Sequence, residues 1–312
     1  MFDFSRVKCY LFCENIREVF SMFHIITDTS ANLPTELLKK NDVSVIPFTY
    51  FVNGEVAACP STEGFDGKAF FEMMREGARV TTSQISAALY KKIMRPILER
   101  GEDILFVGMS SGISGSFNCA EIAAKELQKE FPNKKIRLVD TLGASLGEGL
   151  LVMKAVKEKL KGISIDDIYK RLLKMRHRLC NIFTVDNLKY LRISGRLSNI
   201  ASFVGNLLHV KPLLKGNEKG KIVAFAKILG RKKSIEALAE RYDEYVVDAE
   251  DQTVGIAHAD CEEDANRLKE LLCKNHPPKE ILTVCYEPVT GSHVGPGTLA
   301  LFFEAKDDCR SM

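Results

Sequence analysis

Two hydroxyl-rich turns carry the chemistry of this chain. The first is Thr81-Thr82-Ser83-Gln84-Ile85-Ser86, and the second is Ser110-Ser111-Gly112-Ile113-Ser114-Gly115-Ser116-Phe117. Each follows an apolar run and is predicted to open a helix. A helix opening has unpaired backbone N–H groups and a partial positive charge. With hydroxyls and glycines beside them, such groups make a pocket for an anion, a phosphate or a carboxylate. Neither turn contains a His, Cys, Asp or Glu that could act as a base. The predicted chemistry is to hold an anionic group rather than to attack one.

Other polar residues need weighing beside these turns. His293 sits in a Gly/Pro-rich stretch, Gly291 to Gly297, read as a loop. Imidazole there can hydrogen-bond a carboxylate or a phosphoryl group, or simply sit at the surface. Arg231-Lys232-Lys233 follows a strand and reads as a solvated helix start or a phosphate-stabilising patch. Asp28 and Ser30 could face a ligand, although an Asp after a strand commonly organises its own turn. Arg196 is expected to have a structural use between domains. His209 is expected as a helix C-terminal cap or a packed residue. His258 ends a strand next to Asp260, with no nucleophile beside it in sequence.

These residues must be positioned by a soluble α/β chain. The 312 residues suit two domains or one large one, and 46% apolar with 27% charged content is ordinary for a globular protein. A net charge of +3, with basic residues scattered, makes no case for nucleic acid. No apolar run approaches the ~18 residues of a membrane span. The nine cysteines lack metal-site spacing and are read as free thiols of a reducing, cytoplasmic compartment. No metal and no cofactor is expected. Residues 1–21 lack an apolar signal core and are read as an added or non-native leader before Met22. The other reading is an amphipathic anchor with transient membrane contact.

Strand and helix alternate from 23 to 161. Strands are predicted at 23–27, Val43–Val52, Ile104–Met109 and Lys135–Asp140, with Asn53-Gly54 as a turn. Helices are predicted at Thr35–Lys40 and Phe65–Glu76. Another follows Ser86, carrying Leu89, Ile93 and Ile97 on one stripe, and Pro96 should kink or shorten it. A further helix after the second turn buries Phe117, Ala120, Ala124, Leu127 and Phe131. The pattern is that of an open, doubly wound parallel sheet with flanking helices. Ser164 and Asp167 cap a helix to about Arg178. Strands are then predicted at Ile182–Leu191, Lys221–Leu229, Thr253–Ala259, Glu280–Tyr286 and Thr298–Ala305. The expected division is a leader (1–21), an N-terminal α/β domain (22–179), a C-terminal α+β domain (180–306) and a loose tail (307–312).

Seven segments in this order resemble the DegV family of bacterial fatty-acid-binding proteins. They are Ile26-Thr27-Asp28-Thr29-Ser30-Ala31-Asn32-Leu33-Pro34; Thr82-Ser83-Gln84; Ser114-Gly115-Ser116-Phe117; Val139-Asp140-Thr141; Leu188-Lys189-Tyr190-Leu191 with Gly195-Arg196-Leu197-Ser198; Lys211-Pro212-Leu213-Leu214; and Gly291 to Gly297. The resemblance covers about Phe23 to Ala305. It implies a two-domain fold with one long-chain fatty acid buried between the domains. It implies that Thr82 and Ser114 donate to the carboxylate, with the Gly115 N–H nearby and His293 at the pocket mouth. Ser83 and Ser116 are expected as caps. Ser83, Ser30 and Arg231 are the candidates for the pocket rim or a partner contact. In the branch called FakB, the family implies presentation of the acid to an ATP-dependent fatty-acid kinase, whose acyl phosphate enters phospholipid synthesis. Two residues depart from the family pattern. Leu229 stands where many members have an Arg, and Ile85 where members often have a Pro.

The energetics fit a lipid ligand. Burying about fourteen methylenes at ~0.8 kcal/mol each gives a gross gain of ~11 kcal/mol before association entropy is subtracted. The tail then supplies affinity, and the head group needs only positioning, without a full buried countercharge. The competing reading is a lipid hydrolase with Ser114 as nucleophile. Gly112-Ile113-Ser114-Gly115 lacks the spacing of a nucleophile elbow. A nucleotide-binding reading finds no phosphate-loop motif after any strand.

Overall fold

The structure, a computed structural model, describes residues 23–58, 64–198, 209–306 and 309–311. The expectation for residues 1–21 lies outside the described residues. Four apolar segments form a parallel sheet in the order β2-β1-β6-β7: β1 (Phe23–Asp28), β2 (Val43–Ile46), β6 (Asp103–Gly108) and β7 (Ile136–Asp140). Side chains alternate across a strand, so Ile25 and Ile26 serve opposite faces. On one face, Ile26, Ile104 and Phe106 pack with helices α3 (Ala87–Glu99) and α4 (Ser116–Glu130). On the other, Ile25, Leu105 and Val107 pack with α5 (Leu146–Leu160) and α6 (Ile165–Arg178). The first two helices, α1 (Thr35–Lys40) and α2 (Gly67–Arg75), lie in the β1–β2 connection and in the longer stretch between β2 and β6.

The second sheet has six strands in the order β10-β9-β8-β13-β11-β12. They are β8 (Leu179–Thr184), β9 (Val210–Gly216), β10 (Ile222–Leu229), β11 (Thr253–His258), β12 (Glu280–Cys285) and β13 (Leu299–Glu304). All pairings are antiparallel except β11 with β12. One face packs on α8 (Arg231–Tyr245) and α9 (Glu262–Asn275) through Ile235, Leu238, Ala265 and Leu268. The opposite face shares a core with α5. The first turns of α5 are buried all round, from Leu146 to Val152, because the helix lies between both sheets. The chain is thus a two-domain α/β protein.

Several elements differ from expectation. Val43–Val52 is not one strand. Pro47 has no N–H to donate, and the Phe48 N–H goes instead to Thr29 Oγ1 at 3.1 Å. After this break, β3 (Thr49–Val52) joins an unexpected antiparallel sheet, β4-β3-β5, with β4 (Glu55–Ala58) and β5 (Val80–Ser83). The Asn53-Gly54 turn stands, with φ of 53° and 93°, as a two-residue hairpin turn requires.

Thr81, Thr82 and Ser83 therefore lie in a strand and do not open a helix. β-Branched threonines suit a pleated strand, and α3 starts only after its cap, Ser86. The buried stripe of α3 is Tyr90, Met94, Ile97 and Leu98, rotated from the predicted one. Pro96 sits inside α3, which ends within a turn at Glu99.

Ile182–Leu191 is also divided: β8 ends at Thr184, and Asn187 Oδ1 accepts the Lys189 N–H at the start of α7 (Lys189–Ile193). His293 lies on a short helix, α10 (Pro288–Val294), not in a loop. Proline at its first position and glycine just past its end are helix signals that read, out of context, as loop. His209 is exposed with φ of 71°. The tail is not loose at Cys309 and Arg310, which are buried. Arg310 donates to the carbonyls of Arg176 (2.7 Å) and Leu142 (2.6 Å), and this anchors the chain end.

Candidate functional site

A cavity of about 200 Å³ lies where the three sheets and α10 meet. Its apolar wall includes Phe48, Met109, Leu142, Phe183, Ile222, Val294 and Phe302. Its polar wall includes Thr82, Ser83, Gln84, Ser114, Gly115, Arg196 and His293. Five residues expected at or around the carboxylate, Thr82, Ser83, Ser114, Gly115 and His293, thus share one space. Ser30 and Arg231 are not among its lining residues.

The two hydroxyl turns are hydrogen-bonded to each other. The Ile85 N–H donates to Ser116 Oγ at 3.0 Å, and Ser116 Oγ lies 3.0 Å from Ser114 Oγ. Ser114 Oγ also accepts the Ser116 N–H at the start of α4 (3.2 Å). The departure at Ile85 has a structural use, because a proline there would have no N–H for Ser116. Gly115 brings its backbone against Gln84: an added Cβ would fall 2.2 Å from Gln84 Oε1. The second turn brings its helix opening to the cavity, whereas α3 opens at Ser86, which is not among the lining residues, so the first turn contributes side-chain hydroxyls from a strand.

Thr82 Oγ1 lies 2.9 Å from His293 Nε2. Burial, with the Arg196 charge adding to it, pushes the His293 pKa down to about 4. The imidazole is therefore neutral at pH 7. In the tautomer protonated on Nε2, it donates to Thr82 Oγ1 and leaves the Thr82 O–H free to donate into the cavity. The helix carrying His293 is fixed at its start. Glu287 accepts the Val289 and Thr290 N–H groups, each at 2.6 Å, and its own N–H donates to Asn32 Oδ1 at 3.1 Å. Burial pushes Glu287 up to about 7.

Arg196 supplies what the sequence did not suggest. It lines the cavity, donates from Nε to the Ile113 carbonyl at 3.3 Å, and also bonds the Ser194 carbonyl. Burial lowers its pKa, yet a guanidinium stays charged at pH 7. The cavity wall thus includes a half-buried cation, a charge that the sequence reading did not call for. The signal was present in the Gly195-Arg196 segment, but its role depended on the chain bringing that segment against Ile113.

Behind the cavity lies a buried carboxyl pair. Asp28 Oδ1 accepts the Ser30 N–H (2.9 Å), and Oδ2 accepts the Met109 N–H (3.1 Å), so Asp28 does organise its own turn. Thr27 Oγ1 lies 2.8 Å from both the Val107 carbonyl and Glu148 Oε1. Ser30 Oγ lies 2.5 Å from Asp28 Oδ1 and 2.6 Å from Glu148 Oε2. Each of these four oxygen–oxygen contacts needs a proton, and the two hydroxyls supply two. The shortage of donors favours a proton on the carboxyl pair. Burial raises both pKa values, with mutual repulsion adding at Glu148. Ser30 belongs to this network.

Arg231 opens α8 and is turned to acidic neighbours. Its Nε donates to Asp264 Oδ2 at 2.8 Å, and Nη1 lies 3.8 Å from Asp186. Exposed Leu229 precedes it. Cys261 Sγ lies 3.5 Å from Arg231 Nη2, and burial pushes that thiol up to about 12. Cys119, Cys180, Cys261, Cys273, Cys285 and Cys309 are free. Among the described residues, no cluster of three His, Cys, Asp or Glu residues could hold a metal ion. None of the described helices is long and apolar enough to cross a membrane.

Fold and site together define a two-domain α/β protein with a part-apolar, part-cationic cavity where its sheets meet. The chain belongs to the DegV family. A sequence model described as "Uncharacterised protein, DegV family" matches residues 22–306. "DegV domain-containing protein CPE0026" from Clostridium perfringens is 38% identical over 288 residues, covering 90% of this chain and 97% of that protein. Among solved structures, "Fatty Acid Binding of a DegV family Protein from Thermus thermophilus" superposes with a TM-score of 0.83 at 28% identity. It covers 91% of this chain and 99% of that one. "DegV, a fatty acid binding protein from Bacillus subtilis" superposes at 0.78 with 30% identity, covering 92% and 100%.

Proposed function

We propose that this protein binds one long-chain fatty acid in the cavity, with its carboxylate held by Thr82, Ser114, the Gly115 N–H, His293 and Arg196. The observation that carries the reading is the Thr82–His293 pair, 2.9 Å apart, in one cavity with Ser114, Arg196 and an apolar wall. The Thermus and Bacillus proteins, both named for fatty-acid binding, support the same ligand. A guanidinium and several hydroxyls suit a carboxylate better than a neutral lipid. The hydrocarbon chain gains about 0.8 kcal/mol per buried methylene along Phe183, Ile222 and Phe302.

The finer reading is that the protein presents this carboxylate to a fatty-acid kinase in the cytoplasm. There a carboxylate oxygen attacks the γ-phosphorus of ATP, ADP leaves, and the acyl phosphate feeds phospholipid synthesis. The likeness of the seven segments to the FakB branch supports it. In this reading the protein positions the acid, and the partner supplies the phosphoryl group. Arg231, beside Asp264 and Asp186, and Ser83 are the candidates for contact at the rim.

The hydrolase alternative is not favoured. Ser114 Oγ pairs with Ser116, His293 Nε2 with Thr82, and His258 Nδ1 with the Cys261 N–H (3.4 Å). A serine nucleophile needs a base within hydrogen-bond reach. The test combines the delipidated protein, a fatty-acid kinase, ATP and oleate, with acyl phosphate trapped by hydroxylamine. Thr82→Val and Ser114→Ala variants are expected to fold and to lose most turnover. Unchanged turnover in both would contradict the assignment.

A further inference from the structure

Among the described residues, two buried side chains that line the cavity and are not assigned to the carboxylate carry unpartnered polar atoms, Thr290 at Oγ1 and Asn181 at both ends of its amide, and Asn181 leaves the more hydrogen-bonding capacity unused. Asn181 lies on β8, whose other cavity-facing residue is the apolar Phe183. Asn181 is 8% exposed and lines the cavity. Neither its Nδ2 nor its Oδ1 has a hydrogen-bond partner among the described residues. A primary amide can donate twice and accept twice. Burying it unpaired costs several kcal/mol, so such groups are rare in native interiors.

The fold makes room for this amide. An added Cβ at Gly143 would lie 2.9 Å from Asn181 Nδ2, and one at Gly147 would lie 2.3 Å from Oδ1. Two glycines, in the turn before α5 and in its first turn, leave space that any larger residue would take. Gly216, on the neighbouring strand, also faces the amide, since its added Cβ would come 3.8 Å from Nδ2. Leucine at 181 would suit the aliphatic and aromatic wall of Phe183 and Phe302 without leaving polar atoms unpaired. A polar side chain kept there against that cost points to a polar group in the ligand.

We propose that Asn181 is a specificity residue that hydrogen-bonds an oxygen atom carried on the hydrocarbon chain of the bound acid, a hydroxyl or a keto group. The cavity then has two polar stations. One takes the carboxylate at Thr82, Ser114, His293 and Arg196. The other reads an oxygen function farther along an otherwise apolar chain. The substrate class is the oxygenated long-chain fatty acid. This rests on the fatty-acid reading above and narrows it. A hydroxyl satisfies either face of the amide, and a keto oxygen satisfies the Nδ2 donors.

The test is calorimetric titration of the delipidated protein with stearic acid and with a set of hydroxystearic acids whose hydroxyl is moved along the chain. At the matching position the hydroxy acid is expected to bind roughly tenfold tighter than stearic acid, the scale of one good hydrogen bond. Asn181→Leu is expected to reverse that ratio and to keep stearic acid binding, with Asn181→Ala as a second variant should leucine not fold. A purely structural asparagine would instead lower the stability of both variants and weaken all acids alike. Equal binding of every hydroxy acid and stearic acid, or a ratio unchanged by both variants, would overturn the proposal and leave fatty-acid binding intact. Binding of none of the acids would overturn both.

Discussion

Two buried polar clusters lie close together in this molecule, and they are built differently. Around Asp28 and Glu148, each carboxyl oxygen has a partner at 2.5–3.1 Å. Around the cavity, polar groups are aimed into open space: the Thr82–His293 pair, Arg196, and the amide of Asn181. The closed cluster joins β1, the turn after it and α5, and spends its hydrogen-bonding capacity within the protein. The open cluster keeps capacity in reserve for a ligand. Burial and a shifted pKa occur in both, so neither property distinguishes a scaffold from a site. What distinguishes them is whether hydrogen-bonding capacity is left over.

The largest effect should come from opening the closed cluster. Glu148→Ala leaves Thr27, Ser30 and Asp28 short of partners, and should cost about 3–5 kcal/mol in chemical denaturation. Glu148→Gln retains one donor and one acceptor end, as a protonated acid does, and should cost less than about 1.5 kcal/mol. An equally severe loss in both variants would mean that Glu148 is ionised and that the cluster holds fewer protons than its oxygen–oxygen contacts require.

Changes on the open side should reverse this pattern. Arg196→Met and His293→Ala should each weaken long-chain acid binding by roughly ten- to a hundredfold, with stability altered by less than about 1 kcal/mol. Calorimetry with a defined fatty acid, paired with urea denaturation, separates the two quantities. A loss of stability with binding retained would place these residues in the scaffold.

Titration separates the groups around the cavity in a different way. His293 has a folded pKa depressed to about 4, so its contribution to stability is present above its ordinary 6.5 and is lost as pH falls through about 4. Acid binding should therefore show no rise between pH 7 and pH 5, where an exposed histidine would gain charge and strengthen it. Glu287 has a folded pKa raised to about 7 from 4.5. Its contribution is complete below about 4.5 and is lost as pH rises through 7. Glu287→Gln should lose less stability than wild type between pH 5 and pH 8 in parallel melts. Identical slopes would contradict the buried, protonatable cap.

The smallest effect is expected at Gly115. The atom its added Cβ would meet is the end of the Gln84 side chain, which can swing away. Gly115→Ala should change stability by less than about 1 kcal/mol while weakening acid binding several-fold, since the Cβ enters the polar wall. Binding unchanged in this variant would remove the Gly115 N–H from the site.

The parallel sheet was legible because apolar residues recur in short strands, most continuously in Ile104 to Val107 of β6, with amphipathic helices between them. Ser114 and Gly115 stood out in a Ser/Gly-rich turn before a helix, a pattern shared with ordinary N-caps, and family position pointed them to a ligand. The three-stranded sheet was not legible. Its strands are four residues each, too short for periodicity to separate from a turn, and Pro47 hides the break that starts it. His293 was found by family position, but its helix was masked by a proline and glycines at the ends. Arg196 stood in a recognisable Gly-Arg segment without a sign that it would reach the cavity, and Asn181 carries no local signal. An arginine after a glycine and an asparagine in an apolar strand acquire meaning only when distant segments enclose them.

Whether the open cluster holds a lipid acid can be read by native mass spectrometry of the protein purified straight from its expression host. The expected species is a complex with one long-chain fatty acid, released on denaturation. It should be diminished in an Arg196→Met, His293→Ala double variant that still folds. A wild-type protein found only at its bare mass, and unchanged in mass after incubation with long-chain fatty acids, would mean that the cavity is not a fatty-acid site.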